Sequence, residues 1–252
     1  MSNSLHGLRI LNTRPRDQAS QLSQSIRDAE GKVIELPTLE IEATNTNWLN
    51  LLPDLKTVDH AIFISANAVR YCFNQLNQQN IEWPPSIQVI AIGQGSAAAI
   101  QEFGIQVSAI PVVPDSEHLL ALETLQQPEK QKVLLFKGKG GRPLIEEQLI
   151  QREANLVVLE VYQRVIPQIS RQLIQSIWRN DLVDIILLTS EQSLHNLFKL
   201  FDKEAHNWLR NKKWLIISER LAQVASSLGI RNIKICHPSR VMDTLFDYVN
   251  KD

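Results

Sequence analysis

Val58-Asp59-His60-Ala61-Ile62-Phe63-Ile64-Ser65 returns 125 residues later as Val183-Asp184-Ile185-Ile186-Leu187-Leu188-Thr189-Ser190. In each copy an acid precedes a continuous apolar run of strand length, and a serine closes it. The register holds outward from there. Val69, Cys72, Phe73 and Leu76, at helical spacing, match Leu194, Leu197, Phe198 and Phe201, while Ala97, Ile100 and Phe103 match Ala222, Ala225 and Leu228. Coincidence among apolar positions would not also align Asp59 with Asp184 and Gly104 with Gly229. The repeat therefore predicts two copies of one supersecondary block, hence two similar domains with a ligand cleft between them.

Each copy reads as strands alternating with helices. Leu8–Asn12 is a short apolar strand, followed by Ala19, Leu22, Ile26 and Ala29 at helical spacing. Pro15 suits the first helical turn, where its missing N–H costs nothing. Gly31 is expected to end that helix, with Val33–Leu36 as the next strand. The second copy offers Lys132–Phe136, a helix from Pro143 to about Glu153, and Leu156–Glu160. Further strands are expected at His60–Ile64 with Ile185–Thr189, at Val89–Ile92 with Trp214–Ile217, and at Val107–Ile110 with Ile233–Cys236, before final helices from Ser116 and Ser239. Strands that are apolar throughout indicate parallel sheets covered on both faces. The fold class is α/β: two similar doubly wound domains of flavodoxin-like size with parallel sheets.

The 252 residues suit two domains, each long enough to bury its own core. A formal charge of −1 argues against a general nucleic-acid partner but leaves a small anion open. Cys72 and Cys236 are too few for a disulfide scaffold and read as structural thiols in a reducing compartment. The first residues lack a basic region followed by an apolar core, and no run reaches membrane-spanning length. A soluble cytoplasmic protein without a membrane partner is expected.

Ligands of open parallel sheets bind beyond the carboxyl ends of the strands, so the residues there carry the functional argument. In the first copy they are Thr13-Arg14-Pro15, Ser65-Ala66-Asn67 and Gly93-Gln94-Gly95-Ser96. In the second they are Lys137-Gly138-Lys139-Gly140-Gly141-Arg142, Thr189-Ser190-Glu191 and Ser218-Glu219-Arg220. Hydroxyl residues at any one such junction are ordinary helix caps. Converging on one cleft, their amide donors and partial positive charges would suit a ligand with many carboxylates or phosphates. Arg14, Lys137, Lys139, Arg142 and Arg220 add charge at the same rim, although surface residues of this kind need no function.

Gly93-Gln94-Gly95-Ser96-Ala97-Ala98 formally matches a dinucleotide fingerprint, and Asp115 stands where a ribose acid would. The motif lies on the third strand of its copy, and its counterpart Ile217-Ser218-Glu219-Arg220-Leu221-Ala222 has no glycine, which argues against a nucleotide. The histidines His6, His60, His118, His195, His206 and His237 show no metal-ligand spacing, and neither cysteine lies in a C-x-x-C. No G-x-S-x-G elbow appears. Chemistry here would work by positioning and electrostatics.

With those junctions in view, the chain resembles the uroporphyrinogen-III synthase family over nearly its whole length. The resemblance rests on Leu11-Asn12-Thr13-Arg14-Pro15, Glu35-Leu36-Pro37, Ile62-Phe63-Ile64-Ser65-Ala66-Asn67-Ala68-Val69, Ala91-Ile92-Gly93-Gln94-Gly95-Ser96-Ala97, Lys137-Gly138-Lys139-Gly140-Gly141-Arg142, Glu160-Val161-Tyr162 and Leu187-Leu188-Thr189-Ser190. It implies a cofactor-independent cyclising hydro-lyase that takes the linear tetrapyrrole hydroxymethylbilane, expels its terminal hydroxyl and closes the ring with its last pyrrole inverted. The product feeds haem and related tetrapyrroles.

The resemblance further implies one flavodoxin-like domain from residues 1–37 plus 167–252 and a second from 40–163, joined by a two-stranded linker near 38–39 and 164–166. It implies a monomer, no metal, and transient substrate hand-over from hydroxymethylbilane synthase. Tyr162 matches the family's tyrosine near the cleft; it either hydrogen-bonds the departing hydroxyl or packs on the linker. Thr13, Arg14, Ser65, Ala66, Asn67, Gly93, Ser96, Lys137, Gly138, Arg142, Thr189, Ser190 and Ser218 are the expected substrate-binding set. Three positions depart from the family pattern. Ser96 stands where threonine is common, Lys137 where arginine is frequent, and Glu219 puts an acid at a carboxylate-binding rim. The rival reading, from another class, is a two-lobed small-anion-binding regulator without catalysis.

Overall fold

The computed structural model describes residues 4–44 and 47–249. In chain order it forms β1 (Arg9–Asn12), α1 (Arg16–Asp28), β2 (Lys32–Glu35), β3 (Glu40–Ala43), β4 (His60–Phe63), α2 (Ala66–Gln78), β5 (Gln88–Ala91), α3 (Gln94–Glu102), α4 (Ser116–Leu120) and β6 (Lys132–Gly138). There follow α5 (Leu144–Gln151), β7 (Asn155–Val165), α6 (Arg171–Arg179), β8 (Ile185–Leu188), α7 (Glu191–Leu200), α8 (His206–Asn211), β9 (Lys213–Ile216), α9 (Glu219–Ser227), β10 (Ile233–Ile235) and α10 (Val241–Val249). The chain divides into two compact units, Met1–Glu40 with Val165–Asp252, and Ile41–Arg164.

The first unit is built on a sheet of order β10-β9-β8-β1-β2, the second on one of order β3-β7-β6-β4-β5. Within the first, β1 pairs in parallel with β2 and β8, and β9 with β8 and β10. Within the second, β4 pairs in parallel with β5 and β6, and β6 with β7. The opening strand pair of each sequence copy thus joins the later strands of the other copy. The repeated aspartates hold that exchange. Asp184 donates its N–H to Arg9 O at 2.8 Å and accepts the Arg9 N–H on its carboxylate at 2.8 Å. Asp59 does the same to Lys132, at 3.0 and 2.8 Å.

Alternate residues of each strand feed two faces. Ala61 and Phe63 of β4 pack with Val69, Phe73 and Phe136 on one side, while Ile62 packs with Leu119, Leu135 and Leu149 on the other. Phe63 and Phe136 stack with ring centroids 4.6 Å apart. Burying an aromatic side chain of this kind contributes roughly 1.5–3 kcal/mol. In the first unit, Ile186 and Leu188 of β8 face Leu194 and Trp214, and Ile185 and Leu187 face Ile10 and Ile26. Gly104 and Gly229, at φ +74° and +88°, end α3 and α9 in the left-handed conformation glycine adopts without strain.

Several boundaries differ from the sequence reading. Pro15 sits at the cap position with ψ 149°, and α1 starts one residue later. The left-handed residue after α1 is Glu30 at φ 60°, not Gly31. Gly31 instead allows close packing, since a Cβ there would come within 2.8 Å of Ile26 and Leu5 side chains. The expected strand at Val107–Ile110 is reduced to one parallel bridge, Ile90 to Ala109. Pro111 and Pro114 follow at once, and a residue without an N–H cannot extend a ladder. The helix at Ser116 spans only Ser116–Leu120. In contrast β7 runs well past Glu160, through Tyr162 to Val165. Among the described residues no helix is long and apolar enough to cross a membrane.

Candidate active site at the strand ends

Three serines of the expected set cap helices in the same way. Ser65 accepts from Ala68 N at 3.0 Å, Ser190 from Ser193 N at 3.1 Å, and Ser218 from Leu221 N at 3.3 Å. Each lies in extended backbone directly after a parallel strand, so its helix points a free amide turn outward at the strand end. Thr189 precedes the Ser190 cap and is half-buried. Ala66 and Asn67 form the first turn of α2.

Tyr162 is held from several sides. It lies within β7, three residues before its end, 5 % exposed, with its ring centroid 6.0 Å from that of Tyr71. The Ser65 hydroxyl donates to the Tyr162 phenol oxygen at 3.1 Å. Ser65 thus accepts from the α2 amide and passes its own hydrogen to the phenol, leaving the phenol hydrogen available to another acceptor. The β6–β7 register shifts between Lys137 and Gly138, which sets Gly138 opposite Tyr162. A Cβ on Gly138 would lie 2.5 Å from the Tyr162 ring. Gly138 therefore acts as the floor beneath the tyrosine. Tyr71, which sequence reading did not single out, donates its hydroxyl to Ile41 O at 2.7 Å and so ties this cluster to β3.

Gly93, Ser96 and Ala66 meet in one hollow of about 440 Å³ at the ends of β4 and β5. Gly93 caps α3 in extended backbone, and Ser96 stands in its first turn. Asp115, weighed above as a ribose acid, is spent on the α4 cap. It accepts from His118 N at 2.7 Å and contacts the His118 ring at 2.8 Å, and these bonds hold its carboxyl below the ordinary range. Roomier hollows exist away from the strand ends, such as one of about 590 Å³ beside Leu8, Lys212 and Tyr248. No expected site residue lines that one.

The rim cations differ in their partners. Lys137 is buried and pairs with Glu146 in the first turn of α5. Arg142 donates to Glu117 at 2.6 Å and Arg220 to Glu191 at 2.9 Å, both on the surface. The acid at the Ser218 junction thus has company, because Glu191 already neutralises Arg220. Arg14 differs. Its Nε is buried with no hydrogen-bond partner, and burial pushes the guanidinium pKa below its ordinary value. A partly desolvated guanidinium with no ion pair among the described residues can anchor an anion. Asn12, quoted above in the resemblance motif but given no role there, is fully buried, donates to Ser23 Oγ at 3.1 Å, and accepts from Arg14 N at 3.3 Å. It sets the turn that carries Arg14. Thr13 is buried and donates to Leu187 O at 2.7 Å, tying β1 to β8.

Burial pushes the Cys72 and Cys236 thiols up, so neither is a ready nucleophile. Among the described residues no three His, Cys, Asp or Glu side chains gather as a metal site would need. The strand ends of the second unit offer hydroxyls, helix amides and one phenol, and those of the first offer hydroxyls, helix amides and a guanidinium; each set has groups able to bind carboxylates.

Comparison with known proteins agrees over most of the chain. The family model for uroporphyrinogen-III synthase HemD (HEM4) matches residues 20–245. A uroporphyrinogen-III synthase from Proteus mirabilis is 36% identical over 180 residues, covering 70% of this chain and 90% of that protein. One from Escherichia coli is 30% identical over 230 residues, covering 90% and 94%. Among solved structures, a uroporphyrinogen III synthase from Thermus thermophilus superposes with a TM-score of 0.61 at 16% identity, covering 97% of this chain and 98% of that one. One from Helicobacter pylori gives 0.58 at 18%, covering 97% and 100%. At such identities the structures speak for the fold alone.

Proposed function

From membership of the uroporphyrinogen-III synthase family, to which this chain belongs, we propose that it closes linear hydroxymethylbilane to uroporphyrinogen III, with loss of water and inversion of the terminal pyrrole. The observation that carries the reading is the family match over residues 20–245. The chemistry of the strand ends is consistent with it. A substrate bearing acetate and propionate arms needs many weak anion contacts, and helix first turns at Ser65, Gly93, Ser190 and Ser218 supply them. Arg14, whose buried Nε has no hydrogen-bond partner among the described residues, supplies a full charge.

The reaction needs little covalent help. The hydroxyl leaves as water once protonated, aided by electron release from its pyrrole. The terminal ring then attacks that carbon through its already substituted position, giving a spiro intermediate. Fragmentation and re-closure invert the ring, and a ring proton is lost to restore aromaticity. Tyr162 is the proton donor to the departing hydroxyl, its phenol hydrogen freed because Ser65 donates to the phenol oxygen. Binding must hold the chain in a bend that favours attack at the substituted carbon, because unassisted closure gives the uninverted type I ring. The protein is further proposed to act as a cytoplasmic monomer that receives its substrate from hydroxymethylbilane synthase.

The test is direct. Freshly generated hydroxymethylbilane, incubated with the purified protein, should yield the type III isomer on chromatographic separation. Type I alone would end the assignment.

A further inference from the structure

His60 is 4 % exposed and opens β4, a strand otherwise built of Ala61, Ile62 and Phe63. Its counterpart in the repeat is Ile185, which is fully buried, so an aliphatic side chain meets the packing needs of this position. The histidine is only half satisfied. Its Nε2 lies 3.0 Å from Gln131 Oε1, an acceptor, which puts the ring hydrogen on Nε2 and leaves Nδ1 a bare acceptor. That Nδ1 is buried and has no hydrogen-bond partner among the described residues. Buried polar atoms are normally paired, so this one calls for a donor.

A hollow of about 310 Å³ that His60 helps to line lies where β4 and β5 begin, at the opposite end of the second unit's sheet from Ser65 and Gly93. Lys56, Ser86, Gln88 and Gln131 line it as well, and the Lys56 ammonium is in no ion pair among the described residues. Asp59 is the one acid among the lining residues, and its carboxylate accepts from Lys132 N at 2.8 Å.

The geometry points to a binding site for hydrogen phosphate in this hollow, its P–OH donating to His60 Nδ1 and its ionised oxygens taken by Lys56 and the Gln88 and Gln131 amides. A single water would meet the ring nitrogen but leave the ammonium and amides around it unused. A fully ionised oxyanion would set lone pairs against Nδ1 and the Asp59 carboxylate, which costs affinity. Hydrogen phosphate carries both the charge for Lys56 and a hydrogen for the nitrogen. The site is separate from the strand ends and does not depend on the reaction proposed above.

The probe is inorganic phosphate, titrated into the full chain at about pH 8, above the ordinary imidazole range. Sulfate is the comparison, an anion of like shape with no hydrogen to give. The imidazole nitrogen resonances and the amides of Asp59 and His60 report binding. Phosphate should bind at least about tenfold more tightly than sulfate, since a site that awaits a hydroxyl rejects an analogue lacking it. It should also move the His60 Nδ1 resonance, which sulfate should leave in place. Lys56→Ala, at an exposed position, should weaken phosphate about tenfold and leave the thermal melt unchanged. His60→Leu should bring the two anions within about twofold of each other. Sulfate binding as tightly as phosphate, an Nδ1 resonance unmoved by saturating phosphate, or full phosphate affinity in Lys56→Ala overturns the site. The isomer assay decides the reaction and this titration the hollow, so either reading can fail without the other.

Discussion

Gly138 and Tyr162 face each other across the β6–β7 pair so closely that any side chain at 138 would enter the phenol ring, the nearest approach of a built Cβ being 2.5 Å. The missing Cβ thus sets where the tyrosine stands. Gly138→Ala should push Tyr162 off the Ser65 hydroxyl and cost about 1–3 kcal/mol of stability through overpacking. The chain holds three tyrosines, so ring-labelled tyrosine gives a spectrum in which one moved resonance is readable. An unmoved Tyr162 signal in the alanine variant would show that the strand shifts instead.

Tyr162→Phe keeps the stack on Tyr71 and the fit over Gly138 but removes the phenol. If the phenol donates to the leaving hydroxyl, kcat should fall by roughly 10²-fold or more while KM changes little. Ser65→Ala should reproduce part of that loss, together with about 1 kcal/mol from the missing α2 cap. Wild-type turnover in Tyr162→Phe would reduce the tyrosine to a packing residue.

Asp184 offers a pH-dependent test of the first unit. Burial pushes its carboxyl up, but hydrogen bonds from the Arg9 side chain and amide outweigh this and hold it below the ordinary range. A carboxyl lowered in the folded state adds stability above its ordinary pKa and loses it as pH falls through the folded value. Asp184→Asn should therefore cost about 1–2 kcal/mol at neutral pH, a figure kept small because both side chains are near one-third exposed. The cost should shrink below roughly pH 4. Urea unfolding at both ends of that window checks it, and a pH-independent difference would remove the ion pair from the account.

Much of this was legible because the repeat is carried by residues with backbone duties. Asp59 and Asp184 clamp an opening strand, Ser65 and Ser190 cap, and Gly104 and Gly229 turn left-handed, so their spacing tracks geometry and not composition. The repeat alone hid which strands pair, since β1 beside β8 spans 175 residues in sequence and no local pattern encodes it; only the family resemblance implied the exchange. The site was legible by strand-end position but not by partner. Glu146 beneath Lys137, Tyr71 against Tyr162 and Asn12 behind Arg14 are ordinary residues on ordinary elements until folding brings them together. The stretch before Pro111 misled for the opposite reason, since a strand was expected there and the structure keeps only one bridge of it.

Lys137 allows structure and binding to be separated. Its ammonium is buried against Glu146, whose side chain is 25% exposed, so the charge is already met inside the protein. Removing one partner leaves the other unpaired in a poor solvent, and Glu146→Gln should cost about 3 kcal/mol. Replacing both with apolar residues of similar size, as in Lys137→Met with Glu146→Leu, is expected to restore most of that stability. The double variant then reports on function without the folding defect. If Lys137 serves only to anchor α5, it should make the type III isomer at close to the wild-type rate. If the ammonium also reaches a substrate carboxylate, the double variant will melt like wild type yet show a KM raised about tenfold. A double variant no more stable than Glu146→Gln would contradict the premise that the pair, and not the packing around it, is what the single substitution disturbs.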